Sequence, residues 1–211
     1  DIGTNLEDVL WHAEKPLLRT GPIPLYLLSK LVNQSGYKVV LTGEGADEIF
    51  GGYDIFKEAK IRSFWAKSPG SKLRPLLLAR LYPYIFKDNR LNQTLIAFFK
   101  SGIENPDDPF FSHNIRWKNT GKIKNFFSEN VKDANRNYDS YSELMKLLPA
   151  EYFNWDTVTK AQFLESMIFL SNYLLSSQGD RVAMAHSVEL RVPYLDHRVI
   201  ELLGNVNSEI K

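Results

Sequence analysis

Between Tyr37 and Tyr53 the chain reads Y-K-V-V-L-T-G-E-G-A-D-E-I-F-G-G-Y, and no other stretch constrains its fold as much. The apolar run Val39-Val40-Leu41 ends abruptly at Thr42-Gly43-Glu44-Gly45. A short β-branched run bounded by glycine suits a strand buried on both faces. In open parallel α/β sheets, ligands lie beyond the carboxyl ends of the strands. Gly43 and Gly45 can take positive φ and let another molecule rest on bare backbone. Glu44, Asp47 and Glu48 are hard oxygen donors, suited to Mg²⁺ that a phosphate also binds. A brief helix is expected from about Ala46 to Phe50, its amino end facing the loop, where unpaired N–H groups attract phosphate. The adjacent acids would repel a bare anion, which favours a magnesium–nucleotide. The plainer alternative is that Asp47 and Glu48 cap the helix.

The elements around this stretch follow from local signals. Pro22 and Pro24 suit a first helical turn. Leu25, Leu28 and Leu31-Val32 carry that helix to about Asn33, with Gly36 as its cap. Amphipathic helices are expected over 54–67 and 92–100, with loops at 67–71 and 105–109. Asp139 or Ser140 should cap another, with Glu143 in the capping-box position. Asp156 opens a long helix whose apolar stripe runs from Val158 through Leu164 and Met167 to Leu175, and Gln178-Gly179 breaks it. Val188, Leu190 and Val192 alternate with Glu189 and Arg191, so this piece is extended. Asp196 caps a last helix, which Gly204 ends.

At 211 residues, 44% hydrophobic and 24% charged, the sequence is long enough for one ordinary core. A formal net charge of +1 gives no case for nucleic acid or an anionic membrane. No apolar run is long enough to span a bilayer. There are no cysteines, which excludes disulfides, thiolate metal sites and cysteine nucleophiles and fits a cytoplasmic setting. His113 lacks a second ligand at metal spacing and reads as an ordinary histidine. Lys118, Lys122 and Lys124 read as a solvated face rather than an RNA site. His12 and Glu14 read either as a surface helix end or as a cavity wall.

The Thr42–Tyr53 loop resembles the [S/T]-G-E-G-x-D-E-x-F-G-G-Y signature of glutamine-hydrolysing asparagine synthetases. A second block, D-R-V-A-M-A-H-S-V-E-L-R-V-P-Y-L-D-H-R from Asp180 to Arg198, is similar to that family's other signature. The run Ile23–Lys30 fits as well. Two long motifs in the right order weigh far more than a lone glycine pattern. The likeness covers 11–53 and about 161–203; the segment between shows only helical texture.

The resemblance implies an α/β fold of the PP-loop, adenine nucleotide alpha-hydrolase-like type. Within it this piece is expected to be predominantly helical, with one or two short buried strands. Residues 1–211 would form part of a single ATP-binding synthetase domain. The chain opens on Asp1, not Met, and is expected to be a piece, inactive alone, without the glutaminase domain and the S-G-G-x-D-S pyrophosphate loop. The implied cofactors are ATP and Mg²⁺. The implied partners are aspartate or another carboxylate, glutamine-derived ammonia and the glutaminase domain, with neither nucleic acid nor membrane; a homodimer is compatible.

By the same resemblance, Thr42, Gly43 and Gly45 would lie against the nucleotide, and Asp47 on its metal side. Glu44 would be catalytic, positioning the reacting groups and accepting a proton. Glu189 would be a second catalytic residue, or half of an ion pair with Arg191 or Arg181. Two alternatives remain. One is a related amide ligase or β-lactam-forming enzyme acting on another carboxylate. The other is a non-catalytic helical interaction module.

Overall fold

The computed structural model describes residues 2–86 and 89–208, without the side chains of residues 89–92. They form two compact units, one made of 1–53 with 162–211 and the other of 54–161.

The first unit carries the only sheet among the described residues. Strand β1, Val39–Leu41, and strand β2, Glu189–Arg191, pair in parallel. Val39 faces Glu189, Val40 faces Leu190 and Leu41 faces Arg191. The ladder extends by one bond at each end, Glu189 N to Lys38 O at 2.8 Å and Thr42 N to Arg191 O at 2.9 Å. Parallel neighbours need a long crossover, and here it spans most of the chain.

Around the sheet run the helices Leu6–Ala13, Pro22–Gln34, Ala46–Phe50, Arg181–Met184 and His197–Gly204. Val9, Ile23, Tyr26 and Val182 form one buried cluster, and Leu170, Tyr173 and Leu174 another. The expected starts are found. Pro22 opens its helix, and Asp196 accepts from Arg198 N at 2.9 Å. Gly36 leaves its helix at φ +84°.

Two expectations need correction. The strands are not buried on both faces. Val39 and Leu41 are exposed, and each strand is only half covered at its middle residue. A two-stranded sheet has too little neighbouring structure to cover both faces. Nor does the helix break at Gln178-Gly179. Glu165–Asp180 winds as a π-helix and runs straight into Arg181–Met184. The reason lies at Gly179, where a Cβ would come within 2.9 Å of the Leu174 carbonyl oxygen five residues back. Glycine therefore lets the wide turn close instead of ending it. The wider turn also rotates the buried stripe, from Leu164 to Leu170, Tyr173, Leu174 and Ser177.

The second unit is helical, with Asp54–Ala66, Leu76–Leu81, Asn89–Lys100 and Asn114–Gly121 as its main elements. Its core holds Trp65, Leu78, Tyr82, Phe99, Ile103 and Ile115. Two buried charges brace it. Arg62 donates to the carbonyls of Phe99, Ser101 and Phe111 at 2.9, 2.8 and 2.7 Å. Burial lowers its pKa to about 10. Glu58 accepts from the Tyr82 hydroxyl at 2.7 Å and from both terminal nitrogens of Arg116. Such fully bonded charges hold helices that apolar packing alone would leave free to slide.

Candidate active site

At the carboxyl end of β1 the backbone turns into the short helix Ala46–Phe50. Gly45 is the pivot, at φ +90°, and a Cβ there would fall inside the Leu195 side chain. Both facts require glycine. Gly43 differs: its φ is not positive, and a Cβ would meet open space. Its surface is thus free for contact, whereas that of Gly45 is already occupied.

Thr42 and Glu44 line one cavity of about 380 Å³ with Leu28, Val40, Gln178 and Leu190. The cavity falls within the range of small-molecule sites. Its walls are mainly apolar. Two buried polar atoms in residues of that wall, Thr42 Oγ1 and Gln178 Oε1, have no hydrogen-bond partner. Buried polar groups are nearly always paired, so two orphans in residues of one wall set this wall apart from the rest of the unit's interior.

The three acids of the motif separate. Glu44 is half-buried at the cavity. Asp47 is exposed, and its carboxylate folds over Gly52, where a Cβ would collide with it. Glu48 is 1% exposed and accepts from the Tyr53 hydroxyl at 2.9 Å. Burial pushes its carboxyl pKa up. Glu48 is therefore a structural acid and not a metal donor. Neither Asp47 nor Glu48 caps the helix, because the N-cap is Gly45, with no side-chain bond. No group of three or more His, Asp or Glu side chains that could hold a metal occurs among the described residues.

Glu189 does not line the cavity that Glu44 lines. It is exposed and paired with Arg191 at 2.7 Å, while Leu190 between them lines the cavity. Arg181 pairs with Glu14 instead. Glu14, at φ +54°, closes the Leu6–Ala13 helix, and neither it nor His12 lines the cavity. His113 is buried and bonds Ser112 Oγ through Nδ1 at 2.8 Å. Lys118, Lys122 and Lys124 are exposed. The second unit has a smaller recess, about 160 Å³, beside Arg62 and Asp108, but the Arg62 head is already spent on three carbonyls.

Two contributors lie outside the motifs. Gln162 donates from Nε2 to the carbonyls of Glu48 and Ile49, at 2.9 and 3.0 Å, and anchors the short helix. Gln178 supplies the second orphan atom. The polar letters within an otherwise apolar helical stripe were the available signal for both.

The fold is of the α/β class, mostly helical around a short parallel sheet, and the comparisons make that specific. The asparagine synthase family model matches residues 1–211. The chain belongs to that family, whose domain is of the PP-loop α/β class. It is 29% identical over 210 residues to asparagine synthetase [glutamine-hydrolyzing] 1 of Bacillus subtilis, covering 98% of this chain and 30% of that one. It is 24% identical over 215 residues to amidase chyE of Penicillium rubens, covering 100% of this chain and 32% of that one. A shorter match to asparagine synthetase [glutamine-hydrolyzing] 1 of Arabidopsis thaliana is 38% identical over 73 residues, 34% of this chain and 12% of that one. The chain thus spans about a third of the length of the first two relatives. No solved structure gives a significant match. No described helix is long and apolar enough to cross a membrane.

Proposed function

We propose that this chain is part of the synthetase domain of an ATP-dependent, glutamine-using ligase that converts the side-chain carboxylate of aspartate into an amide. The observation that carries this reading is the cavity at the end of β1, where unpartnered Thr42 Oγ1 and Glu44 share apolar walls. Membership of the asparagine synthase family supports it. A cytoplasmic setting belongs to the same proposal.

A carboxylate oxygen of the substrate attacks the α-phosphorus of ATP, and pyrophosphate leaves with the P–O bonding pair. Ammonia, released from glutamine by a glutaminase domain of the whole protein, then attacks the acyl carbon and expels AMP. The attacking nitrogen must shed a proton, and Glu44 takes it. Thr42 Oγ1 and the open backbone at Gly43 lie against the nucleotide, with Gly45 shaping the turn beneath them. Mg²⁺ supplies charge neutralisation when bound, in the form that needs one or two protein carboxylates alongside phosphate oxygens. The donor set fits that form rather than a self-standing metal site, with exposed Asp47 as the carboxylate and Glu48 withdrawn. Glu189 is retained as a second catalytic candidate, acting from the far side of Leu190.

The test is product analysis. The whole protein with ATP, Mg²⁺, aspartate and glutamine should yield asparagine, AMP and pyrophosphate in equal amounts. ATP consumption only with some other carboxylic acid would overturn the choice of aspartate. That second reading is favoured by relatives named amidase in Penicillium rubens and Gibberella zeae.

A further inference from the structure

The recess of about 160 Å³ beside Arg62 lies wholly within the second unit and outside both signatures. Four charged side chains line it, Arg62, Glu104, Asp108 and Lys118, two of each sign. Two of them are committed to the fold. Arg62 is 1% exposed and holds the carbonyls of Phe99, Ser101 and Phe111, so it is a fixed floor. Asp108 accepts from Phe110 N at 2.8 Å through one carboxylate oxygen and from Asn114 Nδ2 through the other. The other two are uncommitted. Glu104 and Lys118 are exposed, and among the described residues neither charged group is bonded to a partner. Exposed charges elsewhere in this unit do pair with their neighbours, as Lys132 does with Glu129, Arg136 with Asp133 and Lys146 with Glu143. Here two opposite charges line one recess and do not meet. A lone anion would be repelled by Glu104 and Asp108, and a lone cation by Arg62 and Lys118. A lining that is neutral overall, with one free charge of each sign, selects a zwitterion. The volume lies below the roughly 300–1,000 Å³ of drug-sized ligand sites, so the occupant is compact. Asn105 adds a carboxamide to the lining, which suits a polar side chain.

We propose that this recess binds a small neutral α-amino acid, with Glu104 receiving its ammonium group and Lys118 its carboxylate. The inference goes beyond the ligase reading above and stands or falls without it, because none of these residues takes part in that chemistry.

The test uses calorimetry on the whole protein without nucleotide. The probe is L-serine, which is neither substrate nor product of the proposed reaction. Ethanolamine lacks its carboxylate and 3-hydroxypropanoate lacks its ammonium group. The wild-type protein is expected to bind serine, and each half-ligand about fivefold or more weakly, the worth of one charged contact at a partly solvated site. Lys118→Met and Glu104→Gln keep the length of the side chain at exposed positions, so both variants should melt with the wild-type protein. The preference for serine over ethanolamine is expected to vanish in Lys118→Met, and the preference over 3-hydroxypropanoate in Glu104→Gln. Each variant should keep the preference that the other loses, which a general loss of folding would not produce. No binding of serine by the wild-type protein overturns the proposal, as does a half-ligand that binds as well as serine. Preferences that survive both substitutions place the amino acid elsewhere and overturn it too. None of these outcomes touches the nucleotide site, which ATP binding by the same protein reads separately.

Discussion

Gln162 Nε2 donates to the carbonyl oxygen of Glu48 at 2.9 Å, across 114 positions of sequence. A second bond, to Ile49 O at 3.0 Å, completes the anchor. A five-residue helix cannot hold its own shape, so this side chain positions the acidic turn. Gln162→Leu fills the same space and leaves both carbonyls unpaired. It should destabilise by about 1–3 kcal/mol. Urea denaturation would read this as a lower midpoint, with a weakened grip on nucleotide.

The glycines of the turn should respond in opposite ways. Gly45→Ala faces both a left-handed backbone and the Leu195 side chain. A loss of about 2 kcal/mol or more is expected. Gly43→Ala enters open space and should leave the melting temperature unchanged. Its effect should fall on ATP affinity alone, because the added methyl occupies the surface assigned to the nucleotide.

Ser187 sits at φ +53° between the Arg181–Met184 helix and β2, with its N–H bonded to Met184 O at 2.9 Å. The left-handed region penalises a residue with a Cβ. Ser187→Gly should therefore stabilise the protein by up to about 1 kcal/mol, less the added freedom of the unfolded chain. A thermal scan reads the gain directly.

How much of this was legible in the sequence depends on the range of the interaction. Caps and glycine turns act within a few residues. The helices opening at Pro22, Asp139 and Asp196, and β1 itself, therefore stand where their letters place them. Thr42 and Glu44, neighbours in the motif, line one cavity. What escaped depends on distant partners. Glu48 reads as one more acid of the loop, and only the fold shows it buried on Tyr53. Gln178-Gly179 has the letters of a helix end, yet the π turn, five residues wide, passes through it. Burial of the strands was overestimated because an apolar triplet reports its own preference and not the presence of neighbours to cover it.

Glu48 also predicts a pH dependence. Burial holds its proton more tightly in the folded protein than in the unfolded chain, where the value is near 4.5. The folded state thus binds more protons across the window above that value. Stability contributed by Glu48 falls as pH rises through it and levels off above the raised value. Glu48→Gln keeps an acceptor for Tyr53 and removes this slope. Denaturation midpoints measured from pH 4 to pH 8 should show the variant gaining on the wild-type protein as pH rises.

Glu189 offers a clean separation of roles. Its pair with Arg191 is exposed on both sides, and such pairs contribute about 0–1 kcal/mol. Glu189→Ala should leave the melting temperature nearly unchanged. The catalytic assignment predicts loss of asparagine formation in that variant. Unchanged turnover would assign Glu189 to the ion pair alone.

The central claim is that a carboxylate is activated by attack on the α-phosphorus at the Thr42–Glu44 cavity. Aspartate carrying ¹⁸O in its side-chain carboxylate tests it most directly, with the whole protein, ATP, Mg²⁺ and glutamine, and mass analysis of the nucleotide released. The account predicts AMP carrying one ¹⁸O atom, a signal abolished in a Thr42→Val, Glu44→Gln double variant that still folds. Unlabelled AMP, or label appearing in inorganic phosphate beside ADP, would contradict it.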